Sequence, residues 1–393
     1  MVSTEYPPMK GGVAHYSQKL VGSLRNEGLE VSVVCNEDGN GEFTGIHPYN
    51  HHNSEVLMKS VDEFKPDVVH VQYEPGLYGM HLHPINPRRT RTNIESFYHN
   101  CKLPIVTTFH SAYTFAQWMK LVIPTSGGRF GSVGTHLRTM FDYWTHLLNY
   151  SSFNSLNTAK IGPNRVGIVF SKYLQNLIPG SYLIYHGSEP SVSCPANKTE
   201  VRKKFLLPED ANIALATGFM TATKGWDIIK KMKVPDDWKI VVNSSKNHYS
   251  KQGAKTKFEN QGVIDLNRGF LDDRELSLLL YSADALILPY KVSSASGVMF
   301  DGLAHGLPFV SSKIEFFKEF SAMGLGISVD RTPSDFSRAL VELKGDYKKY
   351  KDAVLEFSKN LSWKEVSRKH VLLYESIGKC FFNPKRAKKY SRF

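Results

Sequence analysis

Between Leu286 and Ser311 the chain reads LILPYKVSSASGVMFDGLAHGLPFVS, a run whose residue types are suited to holding an anion. A buried apolar strand ends at Pro289, and Ser293, Ser294, Ser296 and Gly297 form a loop whose small side chains let backbone N–H groups approach a ligand. A helix from about Val298 then directs its positive end to the same place. Asp301, one turn into that helix, is an acceptor that would sit beside the anion and not on it. A phosphate together with a sugar hydroxyl fits such a pair. Taken alone, the stretch is equally an ordinary βαβ crossover with a Ser-rich turn.

Other loops at expected strand ends add to it. In GFMTATKGWD, Lys224 lies six residues after Gly218, at the expected start of the next helix, where its ammonium would meet a diphosphate. A lysine at a helix start is unfavourable without an anion. In the N-terminal half, Glu5 to Val13 carries Gly11-Gly12, and His110-Ser111 follows the apolar strand IVTTF. The string VHVQYEPGLYG puts Glu74 at another strand end, to fix a substrate hydroxyl or merely to cap the turn that follows. His110 reads as readily as a satisfied loop residue as a ligand. His51-His52 and His81-x-His83 look like exposed loops and no carboxylate pair has metal spacing, so no catalytic metal is expected. The chain has neither a Gly-x-Ser-x-Gly elbow nor a Walker-type Gly-Lys-Ser/Thr, which argues against hydrolase and nucleotide-hydrolysis chemistry.

These loops require strands and helices in alternation. Strands are expected at Met1 to Thr4, Glu30 to Cys35, Val68 to Gln72, Ile105 to Thr108, Val166 to Phe170 and Tyr182 to Tyr185, with a helix over Ala14 to Asn26. The first is short, as from a late start or a clipped sheet edge. The pattern resumes with strands at Ile213 to Thr217, Lys239 to Asn243, Gly262 to Asp265, Ala285 to Leu288, Pro308 to Ser311 and Gly326 to Val329, and a helix at Asp273 to Ser282. Ser188 to Lys198, with Pro190 and Pro195, reads as the linker. The fold class is therefore α/β, with two Rossmann-like doubly wound parallel-sheet domains facing across a cleft. The first spans residues 1–188 and the second 189–365, with a C-terminal helix over 366–393 packing back on the first. Between His110 and Gly167 lies an aromatic segment with Tyr113, Phe115, Trp118, Phe130, Phe141, Tyr143 and Trp144, read as core packing or as helices lining a cleft.

At 393 residues the chain exceeds one typical core, and no apolar run approaches a membrane span. The N-terminus lacks signal-peptide character, so the cytoplasm is the expected location. The cysteines Cys35, Cys101, Cys194 and Cys380 form no Cys-x-x-Cys pair and read as reduced structural thiols. A formal charge of +12 favours an anionic partner. Basic clusters occur at Arg88-Arg89-Thr90-Arg91, at Arg202-Lys203-Lys204 and in the tail Lys385-Arg386-Ala387-Lys388-Lys389. The tail, mixed with Phe381, Phe382, Tyr390 and Phe393, is the part suited to peripheral contact with the acidic inner face of a membrane.

In this order, STEYPPMKGGVAHYSQKL, PDVVHVQYEPGLYG, PIVTTFHS, LIYHGSEP, GFMTATKGWD, RGFLDDRELSLLLYSADALILPY and SASGVMFDGLAHGLPFVSS resemble a GT-B glycosyltransferase of glycosyltransferase family 4 (glycosyl transferases group 1), over residues 1 to about 330. The resemblance implies a nucleotide-sugar donor, a UDP- or GDP-sugar, held mainly by the second domain. It also implies a glycan, lipid-linked or small-molecule acceptor held mainly by the first, and transfer with retention, without a metal or other cofactor. Gly11 and Gly12 match the loop whose backbone approaches the donor, His110 the histidine that contacts the donor sugar, and Lys224 the lysine that neutralises the diphosphate. Ser296, Gly297 and Val298 match the amide-bearing helix start. Asp301 stands where the second of two glutamates eight positions apart binds ribose hydroxyls. Phe219, Arg268, Gly269, Phe270 and Ser293 complete the donor side, while Glu5, Glu74 and His110 are acceptor-side candidates. Nucleic acid is not an expected partner.

The chain departs from the family pattern at two places. Phe219 and Thr221 occupy the positions of the basic partner that precedes the lysine, with Arg268 a candidate substitute, and the first glutamate of the pair falls on Ser293. A non-catalytic GT-B protein that binds a sugar nucleotide or glycan as a scaffold or partner subunit is therefore the alternative. An epimerase of similar fold would need acid/base carboxylates, for which only Glu5, Glu74 and Asp301 are available.

Overall fold

Short apolar strands alternating with amphipathic helices produce parallel sheets, because each helical crossover returns the chain to the same end of the sheet. The computed structural model describes residues 1–81, 86, 89–122, 133–246 and 258–382 and contains two units built this way. One holds Met1–Ile184 together with the chain from Ser367 onward, the other Tyr185–Val366. His83, Arg88, Phe130, the basic tail Lys385-Arg386-Ala387-Lys388-Lys389, Tyr390 and Phe393 lie outside the described residues, as do the side chains of Cys380, Phe381 and Phe382.

The first unit contains β1 (Val34–Cys35), β2 (Phe43–Thr44), β3 (Val69–Tyr73), β4 (Ile105–Phe109), β5 (Arg165–Val169) and β6 (Ser181–Leu183). β3, β4, β5 and β6 pair side by side in parallel, and β1 pairs with β2. Val2 bridges in parallel to both Val34 and Val71, joining the two ladders. Its amide donates to the His70 carbonyl at 2.7 Å and its carbonyl accepts from the Gln72 amide at 2.8 Å, while Ser3 donates to the Val34 carbonyl at 3.0 Å. The first segment is therefore an interior rung, and of the two readings of its short length the clipped sheet edge does not hold. β1 is shorter than the expected Glu30 to Cys35 because its ladder with β2 covers only Val34 and Cys35.

In the second unit, β7 (Asn212–Phe219), β8 (Trp238–Ser245), β9 (Val263–Asp265), β10 (Ala285–Leu288), β11 (Phe309–Ser312) and β12 (Gly326–Val329) form one parallel sheet in the order β12-β11-β10-β7-β8-β9. The inner strands are uniformly buried, as a sheet covered on both faces requires. One face packs Trp226, Ile229, Trp238, Phe336 and Leu340 against Ala214, Ile240, Ile287 and Val310. The chain moves outward from β7 to β9 in one direction, then returns to place β10 to β12 on the other side of β7. That reversal puts a topological switch point between β7 and β10, where the loops leaving two neighbouring strand ends diverge and leave a crevice. The first unit has its own switch point, between Val2 and β3.

Candidate functional site

At the switch point of the second unit, the loops after β7 and β10 bring together residues far apart in sequence. Gly218 has φ +131°, a value that suits glycine, and a Cβ there would lie 3.7 Å from Lys224 Cε and 3.8 Å from Val298 Cγ2. Lys224 ends a single 3₁₀ turn, Ala222–Lys224, just before the Trp226–Lys231 helix. Gly225 between them has φ +75°, and a Cβ would sit 1.7 Å from the Pro289 carbonyl oxygen, so the two loops touch backbone to backbone there. Lys224 Nζ donates to Tyr290 Oη at 2.7 Å and lies 4.0 Å from the centre of that ring.

The second loop leads into the Gly297–Ala304 helix, whose N-cap is Ser296. The first amides of an α-helix have no acceptor within it. Here the Ser296 hydroxyl takes the Met299 amide at 3.3 Å and the Ser296 carbonyl takes that of Phe300, so Gly297 and Val298 carry the amides the helix itself does not use. Asp301 accepts from the Ser188 hydroxyl at 2.6 Å, which fixes its carboxylate beside the first turn. His186 stacks parallel on Phe300, and its Nε2 would lie 3.4 Å from a Cβ on Gly297. Ser293 is turned into its own loop, donating to the Ala295 carbonyl at 2.6 Å.

Phe219 and Phe270 stack at 6.5 Å, with Phe270 at 42% exposure presenting an aromatic edge to solvent. Gly269 has φ +73°, and its carbonyl accepts from Asn243 Nδ2 at 2.9 Å, fixing the turn that carries Phe270. Arg268 is engaged elsewhere than at Lys224: its guanidinium lies over the Phe205 ring at 4.9 Å and donates to the Lys204 carbonyl at 3.3 Å. Among the described residues, the cations that flank the Lys224 loop are Arg331, which donates to Asp227 at 2.6 Å and to the Pro289 carbonyl at 3.0 Å, and Lys291, 3.5 Å from Asp227. Sequence reading passed over both, and over Tyr290 and Ser188.

In the first unit the switch point gathers Glu5, Gly11, Gly12, Glu74, His110 and Ser111. The Gly12–Asn26 helix has no acidic residue in its first turn, and Glu5 reaches it from outside, its carboxyl lying on the amides of Ala14 and Val13. A Cβ on Gly11 would be 2.0 Å from Glu5 Oε2, so the glycine is needed for the close approach of this carboxylate. Burial pushes the Glu5 carboxyl up to about 7, with the charge of Glu74 adding to the effect. Burial also raises Glu74, partly offset by the neighbouring Ser111 hydroxyl and Gly76 amide. His110 Nε2 is 2.9 Å from Gln72 Oε1, and its ring packs edge-on against Tyr16 and Phe170.

The aromatic segment divides in two. Trp118 and Phe153 stack at 4.9 Å in a buried cluster, which is the expected packing. Met140, Phe141, Tyr143, Trp144 and Leu148, on the Val133–Thr158 helix, are exposed instead and fall on one side of it at 3.6 residues per turn. No described helix is long and apolar enough to cross a membrane. Among the described residues, no group of three or more His, Cys, Asp or Glu side chains is placed to hold a metal ion.

Two parallel-sheet units, one ordered 3-2-1-4-5-6-7 with Val2 as its first strand and the other 3-2-1-4-5-6, match the GT-B glycosyltransferase fold. Among solved structures, the chain is similar to sucrose-phosphate synthase from Thermosynechococcus elongatus, at TM-score 0.65 and 13% identity over 96% of this chain and 98% of that one. It is also similar to a glycosyltransferase from Rickettsia africae, at TM-score 0.64 and 14% identity over 96% and 97%, and to Anabaena HepE in complex with UDP and glucose, at TM-score 0.60 and 13% identity over 95% and 98%. No protein-family model and no curated protein sequence matches the chain.

Proposed function

We propose that this protein is a retaining, metal-independent glycosyltransferase of the family 4 type, moving a sugar from a UDP- or GDP-sugar to a glycan, lipid-linked or small-molecule acceptor. The observation that carries this reading is the meeting of Lys224, the Gly297–Ala304 helix start and Asp301 at the switch point of the second unit. A cation and a pair of outward amides suit a diphosphate, and a carboxylate one turn along suits the ribose hydroxyls. Phe219, Phe270 and Gly269 form an aromatic edge and turn beside which a nucleobase would lie. Support also comes from fold neighbours, one of them in complex with UDP and glucose.

In this reading the bond from the sugar's anomeric carbon to the diphosphate oxygen breaks while the acceptor oxygen bonds to the same face of that carbon. The acceptor's proton passes to the departing phosphate oxygen, so no protein nucleophile or metal is consumed. Lys224 and the amides of Gly297 and Val298 stabilise the charge that grows on the leaving diphosphate. His110 contacts the transferred sugar, and Glu5 and Glu74 serve the acceptor. The exposed aromatic side of the Val133–Thr158 helix favours a lipid-linked acceptor, since Trp, Tyr and Phe are the side chains that settle at a membrane surface.

One observation favours the alternative of a non-catalytic nucleotide-binding protein. The Glu5 carboxyl already occupies the helix start beside Gly11-Gly12, where the family loop would meet the donor. Turnover separates the readings. Release of nucleotide from a bound donor in the presence of chelator supports the transferase, while binding without release across a broad acceptor set supports the binding protein.

A further inference from the structure

A lysine that must meet a diphosphate is a flexible chain ending in a strongly hydrated charge, and holding it in place costs rotamer entropy. Lys224 is not left to find its position. Its ammonium donates to Tyr290 Oη at 2.7 Å, and Tyr290 Oη is 3.3 Å from Ser296 Oγ, the atom that caps the Gly297–Ala304 helix by accepting from the Met299 amide. Tyr290 is itself fixed, at 3% exposure with its ring edge-on to Phe317 at 5.4 Å. The ammonium thus sits on a rigid hydroxyl tied to the helix start, with its remaining N–H groups available for a ligand. The ring face compensates the positive charge while no anion is present.

We propose that Tyr290 is the positioning residue for Lys224, holding its ammonium at the helix start so that the cation is already in place for the diphosphate. This rests on the nucleotide-sugar reading of the same site and deepens it. Neither glycosyl transfer in general nor the motif residues require a tyrosine at this position. It follows from the side chain that leaves β10 just after Pro289.

The test uses the full-length protein and its Tyr290→Phe, Lys224→Ala and combined variants. The Lys224 side-chain signal is read first, without ligand, in protein carrying 13C-labelled lysine and assigned by its loss in Lys224→Arg. Tyr290→Phe, which keeps the ring and removes only the hydroxyl, is expected to shift and narrow that signal. UDP, GDP and their nucleosides are then titrated calorimetrically. Diphosphate affinity is expected to fall about tenfold in Tyr290→Phe. Nucleoside affinity should stay unchanged, with no further loss when Tyr290→Phe is added to Lys224→Ala. An unshifted lysine signal, or effects of the two substitutions that simply add, would overturn the proposal. A shifted signal in a protein that binds no diphosphate overturns the nucleotide reading while leaving the Tyr290–Lys224 positioning contact established.

Discussion

Glu5 makes the N-terminal helix start sensitive to pH in a direction that can be worked out. Its carboxyl is pushed from 4.5 to about 7, mainly by burial and further by Glu74, so between those values the folded chain binds a proton that the unfolded chain has released. Stability therefore falls as pH rises through that window, and the cost is complete above pH 7. At 1.36 kcal/mol for each unit, the shift amounts to about 3 kcal/mol. Glu5→Gln keeps the shape and an acceptor oxygen for the Val13 and Ala14 amides but removes the titration. The variant should gain about 2–3 kcal/mol relative to wild type on going from about pH 5 to about pH 8.5. Protein equilibrated in urea at each pH is given a brief deuterium pulse at a common pH, and the peptide bearing the Gly12–Asn26 helix reports the fraction unfolded. If the difference between variant and wild type is the same at both pH values, Glu5 titrates as an ordinary exposed carboxylate and its placement on the helix start is wrong.

Gly225→Ala should abolish nucleotide binding and lower the melting temperature, because a Cβ at φ +75° would sit 1.7 Å from the Pro289 carbonyl; unchanged calorimetric affinity would refute the close approach of the two loops. Arg202, buried and donating to Asp284 and to the carbonyls of Ser282, Glu209 and Ala211, should cost about 3–5 kcal/mol when replaced by alanine, read by urea unfolding. Phe141→Ser together with Trp144→Ser should reduce sedimentation with anionic vesicles while leaving melting unchanged, since both side chains are more than half exposed.

Most strands were legible because buried parallel strands are continuous apolar runs bounded by Gly and Pro. Ala285–Leu288, Gly326–Val329 and the Asp273–Ser282 helix fall where the sequence puts them. β2 escaped notice because a rung of two residues, Phe43–Thr44, carries no periodicity. At the site, Lys224 and the Ser296–Val298 helix start stood out as motif residues, whereas Tyr290 looked like any aromatic closing a buried strand. The Arg331–Asp227 pair joins residues 104 positions apart, one after β12 and the other after β7, which no local pattern announces. The space where Gly11 lacks a Cβ holds the Glu5 carboxyl, and nothing in the sequence says the chain turns back on itself there. Which aromatics of the Val133–Thr158 helix face outward was not legible, because an aromatic-rich helix has the same composition whether it faces a core or a surface.

The claim at the centre is that Lys224 and the Gly297–Ala304 helix start hold the diphosphate of a sugar nucleotide for transfer. A panel of UDP- and GDP-sugars, with chelator present and lipid extracts among the acceptors, tests it by calorimetry and nucleotide release. The account predicts that one donor binds and turns over without metal, and that Lys224→Ala lowers the rate on the order of 10²–10³-fold. Full turnover by Lys224→Ala would contradict it.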